Sequence, residues 1–168
     1  MKNIVLIGMP ASGKTTISEL LAEKLEMEKY DADIYLEEME GRLIKDIFSE
    51  FGEEYFRDLE EKYTNELSEK NNIIISTGGG VIKREKNIEN LKKNGIVIFL
   101  DRDPSEIAKE DHALRPLLQD TANIERLYGE RYHLYEGYAD YIVKNNSSLE
   151  KVIETIIKII NEVEEWNF

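Results

Sequence analysis

The eight residues from Gly8 to Thr15, GMPASGKT, match the pattern GxxxxGK[ST], and the chemistry open to such a run is the gripping of a polyphosphate. Backbone N–H groups must converge there on phosphate oxygens, so Gly8 and Gly13 supply turns and a close approach that a Cβ would obstruct. Lys14 reaches for β- and γ-phosphates, and the Thr15 hydroxyl is a ligand for Mg²⁺. A helix starting near Gly13 adds its positive end to the same anion site. The plain alternative is a glycine-rich turn that binds nothing. The position of the run, between the apolar stretch Ile4 to Ile7 and an amphipathic helix, weighs against it.

Other candidates follow other apolar runs. In an open parallel sheet, ligands collect outside the carboxyl ends of the strands. After the second run come Asp31, Ala32 and Asp33; after the third come Ser76, Thr77, Gly78, Gly79 and Gly80; after the fourth comes Asp101. In extended chain Asp31 and Asp33 point their carboxylates the same way, one for holding Mg²⁺ through water and one for accepting a hydroxyl proton. Equally simple is Asp33 as the cap of a helix beginning at Ile34. Arg57 and Glu60, one helical turn apart in FRDLE, form an ordinary surface ion pair or, beside a phosphate loop, Arg57 clamps a carboxylate. The glycine triplet either lets a ligand lie against backbone or merely turns the chain.

Arg115 lies in ALRPLL, within a polar stretch from Lys109 to Thr121 that lacks core-facing periodicity. It reads as a lid arginine that neutralises charge on a transferred phosphoryl group, or as an exposed loop charge. Arg131, in ERYHLY, falls on a helix where a surface position is open to it. His112 and His133 have no second ligand at metal spacing and receive no catalytic role.

These residues need elements to position them. Short apolar runs at Ile4 to Ile7, Ile73 to Ile75, Ile96 to Leu100 and Tyr141 to Val143 predict buried strands, with a fifth just before Asp31, over Glu28 to Tyr30. Longer stretches of helical period separate them, and the alternation implies a parallel sheet covered by helices. Ile17, Leu20, Leu21 and Leu25 place an apolar stripe behind the phosphate loop. Ser147 with Glu150 reads as a capping box opening a closing helix whose apolar face runs from Leu149 through Ile160. The acidic tail from Glu162 to Phe168 reads as solvated or loosely docked.

Composition narrows the classes. A length of 168 residues with 41% apolar content suits one domain with a sizeable core. The chain lacks any stretch near the roughly 20 apolar residues of a membrane span, and Met1 to Ile7 is too short for a secretory hydrophobic segment. Without cysteine there is no disulfide and no catalytic thiol, which fits a reducing cytoplasm. With 35 acidic against 22 basic side chains, the formal charge of -13 opposes nonspecific binding to nucleic acid and anionic membrane. An anionic substrate would need a local basic pocket.

Taken together, GMPASGKT, DAD, FRDLE, STGGG, LRPLL and RYHLY stand in the order and spacing of shikimate kinase, and the chain resembles that family over almost its whole length. The resemblance implies a three-layer α/β/α fold with a five-stranded parallel sheet and a nucleotide-kinase-like core. It implies a single domain of residues 1–168, with the phosphate loop at 8–15, an acceptor-binding region at about 31–60 and a lid at about 109–121. It also implies transfer of the γ-phosphoryl group of ATP to the 3-hydroxyl of shikimate, on the chorismate route to aromatic amino acids.

By matching positions, Ala11, Ser12, Gly13, Lys14, Thr15, Thr16 and Arg115 bind ATP. Asp33, Arg57, Gly79 and Arg131 bind shikimate, the two arginines facing its carboxylate. Thr15 and Asp31 serve Mg²⁺, Ser76 touches the metal's water shell, and Lys14, Asp33 and Arg115 carry the catalysis. The loop from Lys144 to Ser148 lies beside adenine, using backbone more than side chains. The expected enzyme is a cytoplasmic monomer that binds neither nucleic acid nor membrane. This chain departs from many relatives at Ala11, where they have glycine, and at His133, where they have proline. Ala108 and Lys109 stand where some members carry an adenine-side arginine. The competing readings are a gluconate or nucleoside monophosphate kinase of the same architecture, and a nonenzymatic ATP-sensing module.

Overall fold

Val5 and Ile7 face one way from the first strand, Ile4 and Leu6 the other, and all four are fully buried. A strand covered on both faces needs no polar alternation, which is why this run and Ile96–Leu100 read as continuously apolar. The structure, a computed structural model, describes residues 1–110 and 121–165. Along the chain it places β1 (Asn3–Ile7), α1 (Lys14–Leu25), β2 (Glu28–Asp31), α2 (Ala32–Glu40), α3 (Ile44–Ser68), β3 (Ile73–Ser76), α4 (Glu85–Lys93), β4 (Gly95–Asp101), α5 (Pro104–Ala108), α6 (Thr121–Tyr138), β5 (Tyr141–Lys144) and α7 (Leu149–Glu165).

All strand pairings are parallel, in the order β2-β3-β1-β4-β5. On one face Ile4, Leu6, Ile74 and Ile98 meet Ile17 and Leu21 of α1 and Val152, Ile153, Ile156 and Ile160 of α7. On the other, Val5, Ile7, Val97 and Phe99 meet Leu67 of α3, Ile88 and Leu91 of α4, and Tyr135 of α6. The result is the expected α/β/α arrangement. A satellite cluster of Leu36, Ile47, Phe56 and Tyr63 joins α2 to α3 apart from the sheet. The carboxyl ends of β1, β2, β3 and β4 carry Gly8, Asp31, Ser76 and Asp101 to one edge of the sheet.

Three local expectations are corrected. Asp31 and Asp33 do not share an extended run: Asp31 ends β2, and Asp33 already lies in the first turn of α2. The cap is Asp31, whose Oδ1 accepts from the N–H groups of Asp33 and Ile34 at 3.0 and 3.1 Å. At α7 the capping serine is Ser148, one residue later than Ser147, its Oγ accepting from Lys151 N–H at 3.3 Å. The same helix runs on through the first part of the acidic tail to Glu165, because Val163 packs on the α1–α7 core. Helix α3 is broken at Gly52, where φ 84° and ψ 178° lie outside helical geometry.

Candidate active site

Between β1 and α1 the phosphate loop takes the conformation its glycines permit. Gly8 has φ +153°, and a Cβ there would stand 2.6 Å from the Leu100 carbonyl oxygen. Gly13 has φ +99°, and a Cβ there would stand 2.5 Å from the Asn145 Nδ2. Ala11 also takes positive φ, 61°. The buried Lys14 ammonium donates to the carbonyls of Gly8 and Met9 at 2.7 and 2.8 Å, which holds it beneath the loop that would cradle phosphate. Asn145, two strands away, donates to the Ser12 carbonyl at 2.8 Å, so the loop after β5 braces the phosphate loop through a side chain.

One cleft of about 360 Å³ is lined by Ala11, Gly13, Lys14, Thr15 and Thr16 from this loop, by Asp31 and Asp33 from the β2–α2 junction, and by Ser76, Gly78 and Gly79 after β3. Burial, then the carboxylates of Glu60 and Asp31, push the Asp33 carboxyl up to about 7, while Lys14 pulls the other way. Burial likewise raises Glu60, against the pull of Arg57. A carboxyl poised near neutral pH at the end of a phosphate cleft is suited to taking a proton from an alcohol. The oxygen donors Thr15, Asp31, Asp33 and Ser76 lining the same cleft suit a hard cation such as Mg²⁺.

The glycine triplet is explained by close approach, since none of its three φ angles is in the left-handed region. A Cβ on Gly78 would stand 2.8 Å from Asp33 Oδ1, one on Gly79 2.7 Å from Pro10 Cδ, and one on Gly80 2.5 Å from Arg57 Nη1. The triplet is thus the thin wall against which the acid, the phosphate loop and the guanidinium all press. Arg57 and Glu60 do pair, at 2.8 Å, but as a buried couple rather than a surface one. Arg131 is buried too, on α6. Arg57 and Arg131 line a second hollow of about 440 Å³ with Glu53, Lys83 and Arg126. The four matched acceptor residues are therefore split, Asp33 and Gly79 on the phosphate side and Arg57 and Arg131 on the other, with the triplet between them.

Residues the motif reading passed over hold this wall in place. Tyr135 stacks on Phe99 at 5.0 Å and donates to the Gly79 carbonyl at 2.6 Å. Its burial pushes the phenol up to about 12, so it is a donor at any physiological pH. Arg84 pairs with Asp58 and Glu61 at 2.8 and 2.9 Å, tying the exit of the triplet to the helix that bears Arg57. Arg102, just after β4, lines the phosphate cleft and donates to the Ala11 carbonyl at 2.8 Å. Tyr135 is the last residue of RYHLY, four positions or about one helical turn beyond Arg131, and Arg102 directly follows Asp101, so in both cases the only signal in the sequence is nearness to a candidate residue. Arg115, His112 and the lid, save for its ends at Lys109, Glu110 and Thr121, lie outside the described residues.

A parallel sheet with a phosphate loop at its first strand, an acid across the cleft and paired guanidinium groups behind it defines a small-molecule phosphotransferase of the nucleotide-kinase architecture. The shikimate kinase family model matches residues 10–161. A shikimate kinase of Clostridium botulinum is 45% identical over 163 residues, covering 95% of this chain and 98% of that protein. One from Clostridium beijerinckii is 42% identical, covering 99% and 100%. Among solved structures, the shikimate kinase from Acinetobacter baumannii in complex with shikimate superposes with a TM-score of 0.90 at 33% identity, over 96% of this chain and 94% of that one. The chain belongs to the shikimate kinase family.

Proposed function

We propose that this chain transfers the γ-phosphoryl group of ATP to the 3-hydroxyl of shikimate, giving shikimate 3-phosphate and ADP. The observation that carries the reading is the shared wall: Gly78 against the Asp33 carboxylate and Gly80 against the Arg57 guanidinium set an acid and a carboxylate clamp a few residues apart on the far side of a phosphate loop. In an acidic protein, Arg57 and Arg131 supply the local positive pocket that an anionic acceptor requires.

The transferred group needs alignment and charge compensation more than covalent help. Backbone N–H groups of Ala11 to Thr16 and the Lys14 ammonium hold the polyphosphate; Lys14 exchanges the Gly8 and Met9 carbonyls for phosphate oxygens. Arg57 and Arg131 hold the acceptor carboxylate, which fixes the ring so that its 3-hydroxyl faces Asp33. Asp33 takes the hydroxyl proton as the oxygen bonds to the γ-phosphorus and the bond to the bridging oxygen of ADP breaks. Arg115 is assigned the charge on the migrating group. Thr15 and Asp31 would hold Mg²⁺, which would supply further charge neutralisation. The proposal extends to a monomeric cytoplasmic enzyme that binds neither nucleic acid nor membrane. The net charge of -13 supports the part about nucleic acid and anionic membrane, which it repels.

The test is an ADP-release assay with shikimate, gluconate, AMP and CMP as acceptors, with Mg²⁺ present and absent. Turnover is expected with shikimate and Mg²⁺ alone. Nucleotide binding without shikimate-dependent turnover would leave an ATP-sensing module instead, and faster turnover of another acceptor would reassign the substrate.

A further inference from the structure

Arg102 and Glu110 form an ion pair, and both residues line the phosphate cleft together with Gly13, Lys14, Thr15 and Thr16. Arg102 is the only arginine among the described residues lining that cleft. Its side chain is 19% exposed and anchored to the Ala11 carbonyl at 2.8 Å, whereas Glu110 is 44% exposed. The guanidinium is therefore fixed by the loop itself, and the carboxylate is the loosely held partner. Neither Ala108 nor Lys109, the two residues before Glu110, lines that cleft. Ala108 packs against the sheet core, and the Lys109 ammonium stands exposed on Glu106 at 2.8 Å. An internal carboxylate thus sits on a guanidinium in a cleft shaped for a polyphosphate.

We propose that Arg102 is a nucleotide-binding residue of this chain and that Glu110 is its internal competitor, displaced when the phosphates of a nucleoside di- or triphosphate take over the guanidinium. The inference rests on the phosphate loop holding nucleotide as set out above. The fork of a guanidinium matches phosphate oxygens as well as it matches a carboxylate, so one anion replaces the other without rebuilding the site. A half-exposed ion pair is weakly held and readily exchanged. A polyphosphate, with several charges already gripped by the loop, wins that exchange.

Calorimetric titration with Mg·ADP, and separately with inorganic tripolyphosphate, tests this on wild type, Arg102→Met, Glu110→Gln, the double variant and Lys109→Met. Arg102→Met is expected to weaken Mg·ADP about tenfold or more, as for loss of a charge-assisted hydrogen bond. Glu110→Gln is expected to tighten it about threefold, the double variant to bind like Arg102→Met alone, and Lys109→Met to bind like wild type. A purely structural role for the pair would weaken binding in both single variants, so opposite signs are the signature. Tripolyphosphate should show the same order, since the contact is to phosphate rather than base. Unchanged affinity in Arg102→Met, weaker or unchanged binding in Glu110→Gln, or an effect confined to the nucleotide would overturn the proposal. Wild type that binds no Mg·ADP at all would instead remove the phosphate-loop reading beneath it.

Discussion

Replacing Asp33 by asparagine should stabilise the ligand-free protein above neutral pH while abolishing turnover. Its carboxyl is pushed from 3.8 to about 7 by burial and by the neighbouring charges of Glu60 and Asp31. Between those two values the folded chain holds a proton there that the unfolded chain has released. Stability therefore falls as pH rises through the window and is lowest, on this account, above pH 7. At about 1.4 kcal/mol per pH unit, the ionised carboxylate costs at most about 4 kcal/mol. Asp33 lines an open cleft and keeps contact with water, so about 2 kcal/mol is the expected cost. Asparagine has the shape of the protonated acid and escapes that cost. Urea unfolding at pH 8 should show Asp33→Asn more stable by about 2 kcal/mol, a melting temperature about 5 °C higher. At pH 3, below both values, Asp33 is neutral in the folded and the unfolded chain alike, and the two proteins should agree within about 0.5 kcal/mol. A variant no more stable than wild type at pH 8, or equally stabilised at both pH values, would refute the assignment of Asp33 as a strained, buried acid.

The same carboxyl should give kcat/KM for shikimate an acidic limb near pH 7, and Glu60→Gln, which removes the largest charge acting on it, should move that limb to lower pH; a pH–rate series on both proteins checks this. Gly80→Ala drives a methyl against the Arg57 guanidinium and should raise KM for shikimate about tenfold with a smaller change in kcat, while Gly78→Ala, which crowds Asp33, should chiefly lower kcat. Steady-state kinetics showing the reverse pattern would break the division of labour along the triplet. Ala11→Gly relieves a left-handed alanine worth roughly 1–2 kcal/mol but loosens the unfolded chain by about 0.4–1 kcal/mol, so urea unfolding should show a net gain of no more than about 1.6 kcal/mol.

Much of this site is contiguous in the chain and was legible there. The phosphate loop needs only Gly8, Gly13, Lys14 and Thr15 in fixed succession between a strand and a helix, because its geometry is one of neighbouring backbone units. The strand runs at Ile4, Ile73, Ile96 and Tyr141 showed as apolar blocks for an equally local reason: burial on both faces removes the polar alternation. Cap positions are not fixed locally, since the choice between Asp31 and Asp33, two residues apart, or between the adjacent Ser147 and Ser148, depends on where the backbone leaves the strand or loop. Side-chain spacing also could not tell a surface ion pair from a buried one, so the burial of Arg57–Glu60 against the glycine wall is decided only by the packing of α3.

What lay beyond reach of the residue order is every contact that joins distant segments. Arg102 meets Ala11 across 91 positions, Asn145 meets Ser12 across 133, and Tyr135 meets Gly79 across 56. No local period or motif encodes such pairs; they arise because parallel strands β1, β3, β4 and β5 deliver their carboxyl ends to one edge, where the loops that follow must share space. The amino-acid order therefore specified a phosphate grip and the sheet that carries it. Folding added the raised proton affinity of Asp33, which is a property of its burial and of Glu60 and Asp31 gathered around it, and of no short stretch of chain.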